Sequence, residues 1–252
     1  MELDYIYLDT NAIRNVGLNH FFGKTKDLRR IHDLAEIIVP QMVCDEIRKQ
    51  KRKTWEKELA GVKKGMFYRF MNGSDEVFNQ FSEYLIDTEE RLYQNSQEDF
   101  HHKKIDLDIS NPEHLPNIIE MSMQNKPPFN KDSDKGIKDT IIYLTIIEHM
   151  RNLSPEDDVF VWTSDGRLKE AFEEHENVEI IDSVDSYLSL REGYFRESYF
   201  IGRLREELED DGIQSNAVKA TLNEKEGIWT IEISSSNEVR KVEVDFVSKE
   251  FM

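Results

Sequence analysis

Four acidic residues stand where four separate apolar segments run out: Asp9 after YIYL, Glu46 six residues past AEIIVP, Asp139 inside GIKDTIIYL and Asp165 after VFVWTS. Carboxylates in this number make a hard-oxygen site, which suits Mg²⁺ or Mn²⁺ better than zinc, a metal that favours imidazole and thiolate. The four lie far apart in sequence, so only a tertiary arrangement can join them. A parallel sheet with short connections would do so, because it brings strand ends and the following helix starts to one edge, where open α/β sheets place their chemistry.

The elements that would position them follow from the apolar pattern. Residues 3–8 (LDYIYL) are short, apolar and aromatic and run into Asp9-Thr10-Asn11, which predicts a buried first strand. Thr25 is placed to cap a helix over residues 26–34. Ile37-Ile38-Val39 form a second strand that Pro40 stops, and a helix carrying Glu46 follows from Gln41. Residues 54–130 fit no strand and helix alternation and are read as a helical insertion ending at Lys126-Pro127-Pro128-Phe129. The alternation resumes with a helix over about 134–151, a strand over 159–162, a helix over about 166–175 and a strand over 178–181. An amphipathic helix over 194–210 and period-2 alternation from Ala217 to Val247 then predict a small appendage ending in antiparallel strands.

These motifs resemble the PIN domain, a Mg²⁺-dependent nuclease fold, over residues 1 to about 185 less the insertion. Leu8-Asp9-Thr10-Asn11 is similar to the family's first-strand motif, and Glu46 to the glutamate on the helix after the second strand. Lys138-Asp139-Thr140 matches the third acid at a helix start, and Thr163-Ser164-Asp165 the Thr-x-Asp after the fourth strand. The resemblance implies a three-layer α/β/α domain with a mainly parallel five-stranded sheet over residues 1–192, followed by an α+β appendage over 193–252. It also implies that Asp9, Glu46, Asp139 and Asp165 hold one or two Mg²⁺ or Mn²⁺ ions, with Thr10, Asn11 and Thr163 orienting those carboxylates through hydrogen bonds. Asp132 and Asp134 stand in reserve for Asp139. A phosphatase of the haloacid dehalogenase type also opens on Asp after a strand, but it needs a second Asp two residues on, and position 11 is Asn.

One strong basic run, Arg48-Lys49-Gln50-Lys51-Arg52-Lys53, begins two residues after Glu46. Residues 48–64 hold eight basic and two acidic side chains, a local excess of six positive charges in a chain of net charge −18. Such a run is commonly a solvated helix face, but its place beside Glu46 makes Arg48, Lys49, Lys51, Arg52 and Lys53 candidate phosphate contacts. Trp55 reads as a base-stacking residue or, more simply, as a buried anchor. His101-His102 has no acidic or Cys partner at ligand spacing and reads as a solvated pair, and Cys44 reads as a packing residue.

Composition bounds the rest. With 33 basic and 51 acidic side chains the chain is no general nucleic-acid coat, and a single cysteine excludes an internal disulfide framework and fits a reducing compartment. No apolar run is long enough to span a bilayer and no signal peptide opens the chain, so a cytoplasmic location without membrane contact is expected. From residue 191 onward nine basic and fourteen acidic residues make the appendage a candidate for self-association or a protein partner, not for nucleic acid. The functional expectation is a metal-dependent nuclease acting on single-stranded or loop RNA ahead of DNA. The alternatives are a DNA or flap nuclease, and a non-catalytic binding module in a defence or toxin-type complex.

Overall fold

A computed structural model of the chain describes residues 4–65, 74–129, 136–208, 210, 212–223, 226–234 and 239–245. Its central strand, β1 (Asp4–Leu8), is buried at every position, as its aromatic and branched side chains predict. On one side β1 pairs with β2 (Glu36–Pro40) and β2 with β3 (Lys103–Ile105); on the other it pairs with β4 (Asp158–Trp162), and β4 with β5 (Val178–Ile181). All four pairings are parallel. The chain thus starts mid-sheet, builds to one edge and crosses back to the other side, so the strand order reverses between β1 and β4. Such a reversal opens a crevice at the strands' carboxyl ends.

Ile6, Tyr7 and Leu8 are fully buried, and burial of each side chain of this size contributes roughly 1.5–3 kcal/mol, so Asp9 leaves a fixed strand end. Leu8 lies opposite Trp162, and the Asp9 N–H donates to the Trp162 carbonyl at 3.1 Å. Asp9 and Thr163 are therefore neighbours by register.

Helices flank the sheet. The first four are α1 (Thr10–Ile13), α2 (Thr25–Leu28), α3 (Gln41–Lys64) and α4 (Ser74–Gln94). They are followed by α5 (Ser96–Asp99), α6 (His114–Met123), α7 (Ile137–Met150) and α8 (Gly166–Phe172). Pro40 ends β2 and stands at the N-cap of α3, whose 24 residues run without a break past the basic run. Gly136, at φ +126°, opens α7 where a Cβ would come within 2.7 Å of the Phe129 Cα, so the start of the Asp139 helix requires glycine.

Three expectations change. The helix expected over 26–34 stops at Leu28: Lys24 stands left-handed at its N-cap without a side-chain cap, and Ile31 and Leu34 close successive turns onto Leu28 and Ile31. Ile31 and Leu34 are buried all the same, so their spacing reported a buried face and not a helix. The segment read as a helical insertion also supplies the fifth strand, β3, whose Lys103 and Lys104 are exposed and whose Ile105 alone is buried. A three-residue edge strand bearing lysines has no period to detect, and charge on an edge discourages further pairing. Finally, α9 (Val184–Tyr194) occupies a stretch where no element was expected, started by a reciprocal Ser183–Ser186 capping box and turning Val184, Tyr187 and Arg191 inward.

After α10 (Ser198–Glu207) comes an antiparallel meander of β6 (Val218–Asn223), β7 (Ile228–Ser234) and β8 (Val239–Asp245). Trp229, Ile231 and Ile233 alternate into the core, with the Trp229 ring 4.8 Å from Phe195. The meander belongs to the same continuous apolar cluster as the parallel sheet. Between β6 and β7, Gly227 adopts φ +64° against Leu34.

Candidate active site

The four acids come from four elements that meet at the carboxyl edge. Asp9 caps α1, its Oδ1 accepting the Thr10 N–H at 2.6 Å, while Oδ2 accepts the Thr163 hydroxyl at 2.7 Å. Thr163, fully buried, also accepts the Asp165 N–H at 3.0 Å, so one hydroxyl ties the ends of β1 and β4 together. Asp165 caps α8 with Oδ1 alone, accepting from the Arg167 and Leu168 N–H groups at 2.9 Å each. Glu46, in the second turn of α3, accepts the Thr10 hydroxyl at 2.9 Å through Oε2 and pairs with Lys138 Nζ at 2.7 Å through Oε1. Asp139 lies in the first turn of α7.

Electrostatics records the convergence. The Asp139 carboxyl is pushed up to about 6, first by burial and then by the charges of Asp165, Asp9 and Glu46, with Lys138 opposing. Asp9 is also raised, chiefly by burial, with smaller contributions from Asp165 and Glu46 set against the hydrogen bonds from Thr163 and Thr10. Asp9 and Asp139 therefore both feel the charges of Asp165 and Glu46.

Among the described residues, no three of these acids bring carboxylate oxygens within 4.8 Å of one another. This spacing does not make a closed, dehydrated cage; a hard divalent ion that keeps several waters and takes one or two carboxylates directly would suit it. The oxygens open to a cation are those of Asp139 and the Oδ2 of Asp165, which make no hydrogen bond among the described residues. All donors are carboxylate oxygens, and the surplus negative charge is what a divalent ion offsets.

Thr10 and Thr163 thus stand where expected, each donating to a carboxylate. Asn11 is exposed, and its amide reaches none of the four acids among the described residues. Asp132 and Asp134 lie outside the described residues. Lys138 was not singled out from the sequence, since a lysine beside an acid at a helix start looks like an ordinary surface pair.

The basic run divides. Lys51 is fully buried and donates to the Gly17 and His20 carbonyls at 2.8 and 3.0 Å, with burial lowering its amine to about 8. It contacts no phosphate. Arg52 makes a two-pronged bond to Glu89 at 2.7 and 3.0 Å, and Arg48 reaches Asp45, Glu89 and Glu90 and packs 4.2 Å over the Tyr93 ring. Lys49 and Lys53 remain exposed, as does Lys57. Trp55 is a buried anchor, donating to the Val16 carbonyl at 3.1 Å. Cys44 is buried too, its thiol pushed up to about 12, which suits packing and not reactivity. His101 is exposed, as expected, but it also lies against His32 and Asp33.

Among the described residues no helix is long and apolar enough to cross a membrane. Comparison with curated proteins and with solved structures gives no match. A family model described as "PIN domain" does match, over residues 6–168, a span that contains all four acids and the carboxyl ends of β1, β2, β3 and β4. PIN domains are typically metal-dependent nucleases, with nucleic acid as substrate. On that match, covering well over half of the sequence, the chain belongs to the PIN-domain family.

Proposed function

We propose that the chain is a Mg²⁺- or Mn²⁺-dependent endoribonuclease that cuts single-stranded or loop RNA, with Asp9, Glu46, Asp139 and Asp165 as its metal-holding acids. The observation that carries the reading is the meeting of these acids from four elements at the β1/β4 reversal, where Thr163 bonds Asp9 and Thr10 bonds Glu46; burial first, and the charges of the other three acids second, raise Asp139 to about 6. Asp139 and the Oδ2 of Asp165 are the natural direct ligands. Asp9 holds its place between two hydrogen bonds, and Glu46 orients the site through Thr10 and Lys138. A bound divalent ion supplies Lewis-acid activation of water and neutralises charge developing on the phosphodiester. With no Ser or Cys nucleophile among these residues, the protein's own part is to hold carboxylates and bind the strand.

The strand's path is assigned to Lys49, Lys53 and Lys57, spaced four residues apart on α3, about 6 Å per step at helical rise, and starting three residues from Glu46. Lys138, half exposed beside Glu46, extends that path across the site. RNA is favoured over DNA by the habit of the family, since no side chain here is assigned to a 2′-hydroxyl.

The test is incubation of the full chain with labelled single-stranded RNA, duplex RNA and single-stranded DNA, each with Mg²⁺, Mn²⁺ or EDTA. Cleavage of single-stranded RNA that needs either ion and stops in EDTA is expected. Faster cutting of DNA would move the assignment to a DNA nuclease, cutting that persists in EDTA would remove the metal, and binding without cutting would make the chain a recognition module.

A further inference from the structure

A second group of ligand-bearing side chains lies at the opposite edge of the sheet. His32 and Asp33 stand in the turns leading into β2, and His101 stands two residues before β3. Since β2 and β3 are parallel, these positions lie at the amino-terminal ends of the strands, whereas the four acids follow the carboxyl ends. One ligand atom from each of the three lies within 4.8 Å of the other two. The His32 and His101 rings are 5.0 Å apart at 48°, and His32 Nδ1 is 3.6 Å from Asp33 Oδ1. Tetrahedral zinc with ligands at about 2.0–2.1 Å sets neighbouring donors roughly 3.3–3.5 Å apart, so the pair needs little adjustment.

The approach of these two segments is built, not incidental. Register sets Lys103 opposite Ile38, and Lys103 also pairs with Glu36 at 3.5 Å. Arg29, on the same turn as His32, holds Asp99 by its side chain at 3.1 Å and by its backbone carbonyl. These contacts clamp residues 99–103 to residues 29–36 on both sides of the histidines. Between the clamps, among the described residues, His32 Nδ1 accepts only a long bond from the His101 N–H at 3.4 Å, which costs little to exchange for a metal.

We propose that His32, Asp33 and His101 form a binding site for a borderline-soft divalent cation of the zinc type, which staples the lead into β3 to the lead into β2. Two imidazoles and one carboxylate select zinc, cobalt or nickel over magnesium, the reverse of the preference of the four acids. Three protein ligands leave a position for water, in keeping with the exposure of Asp33 and His101. The site is independent of the nuclease reading, and its loss would leave the acids in place.

The experiment is Zn²⁺ titration of the full chain by competition with a chromophoric chelator, in millimolar Mg²⁺ so that the hard-oxygen acids are occupied. The expected result is one retained equivalent of Zn²⁺ and a rise in melting temperature on its addition. His32→Gln and His101→Gln should each weaken Zn²⁺ at least tenfold, the double variant should lose the equivalent and the thermal shift, and Co²⁺ should show a nitrogen-ligand absorption spectrum in the parent alone. Asp33→Asn, at an exposed position, should weaken Zn²⁺ without unfolding and serves if a histidine variant folds poorly. No equivalent retained against Mg²⁺, or unchanged affinity in the Asp33→Asn and histidine variants, would overturn the proposal.

Discussion

Asp139→Asn separates a metal site from a helix-start residue. In the folded chain the Asp139 carboxyl rises from its ordinary 3.8 to about 6, which at 1.36 kcal/mol per pH unit sets an upper bound of about 3 kcal/mol against the ionised, folded form, and solvent screening at this half-buried group cuts that to about 1.5 kcal/mol. The sign follows from linkage: a group raised on folding favours the fold below its unfolded value, and that contribution is lost as pH climbs through the folded value, here between about 4 and 6. Above pH 6 the ionised carboxylate is a standing cost. Asn removes it but gives up about 0.3–1 kcal/mol of interaction with the α7 dipole, so a net gain of roughly 1 kcal/mol remains at neutral pH. At about 2–4 °C per kcal/mol for a domain of this size, the variant in EDTA should melt about 2–4 °C higher than the parent at pH 7.5 and no higher at pH 3.5. Mg²⁺ should close that gap by stabilising the parent more, and the variant should cut no RNA. Melting curves across that pH range with and without Mg²⁺, beside a cleavage assay, decide the matter. A variant that melts lower in EDTA at neutral pH yet still cuts would refute the reasoning and return Asp139 to a helix-start role.

Changing Lys49, Lys53 and Lys57 together to Gln should weaken single-strand binding and flatten its salt dependence by about two in the logarithmic slope, read by fluorescence titration over salt. Lys51→Met should leave that slope alone but cost roughly 1–3 kcal/mol in a denaturant melt, since two carbonyls lose their buried donor. Thr163→Val removes the donor to Asp9 and the acceptor for the Asp165 N–H, and steady-state cleavage should fall about 10–100-fold while the fold survives. Arg191→Leu should be the most destabilising of these changes, at about 3–5 kcal/mol by thermal unfolding, because buried Asp4 loses the guanidinium that also binds Asp158.

Where residues were buried on both faces or terminal to a strong apolar run, the sequence was readable. YIYL, EIIVP and VFVW each became a strand of the parallel sheet, and each acid that followed one landed at the carboxyl edge. Reading failed where the signal was not local. β3 exists because β2 offers it an edge, and Lys103-Lys104-Ile105 carries no alternation of its own. Ile31 and Leu34 mimic helical spacing because they face one core from successive turns. The histidine group was invisible because His101 meets His32 across 69 residues, and adjacency to His102 was the only relation the sequence displayed.

The basic run shows why charge alone cannot assign a phosphate path. A helix turns about 100° per residue, so six consecutive positions cannot share a face. Lys51 and Trp55, four apart, point into the core under the loop that follows α1; Arg48 and Arg52, also four apart, meet the acids of α4; Lys49, Lys53 and Lys57 face outward. Residue type follows the task. The planar guanidinium makes forked, fixed bonds to carboxylates, so the arginines dock the insertion against α3, while the exposed lysines are hydrated point charges of the kind that can bind phosphate without demanding one geometry. Docking α4 through Glu89, itself buried, also holds α3 straight from Glu46 through the lysine stripe. Under the proposed function the insertion would serve the site at one remove: it packs against the helix that carries Glu46 and the exposed lysines, a local positive stripe in a chain of net charge −18.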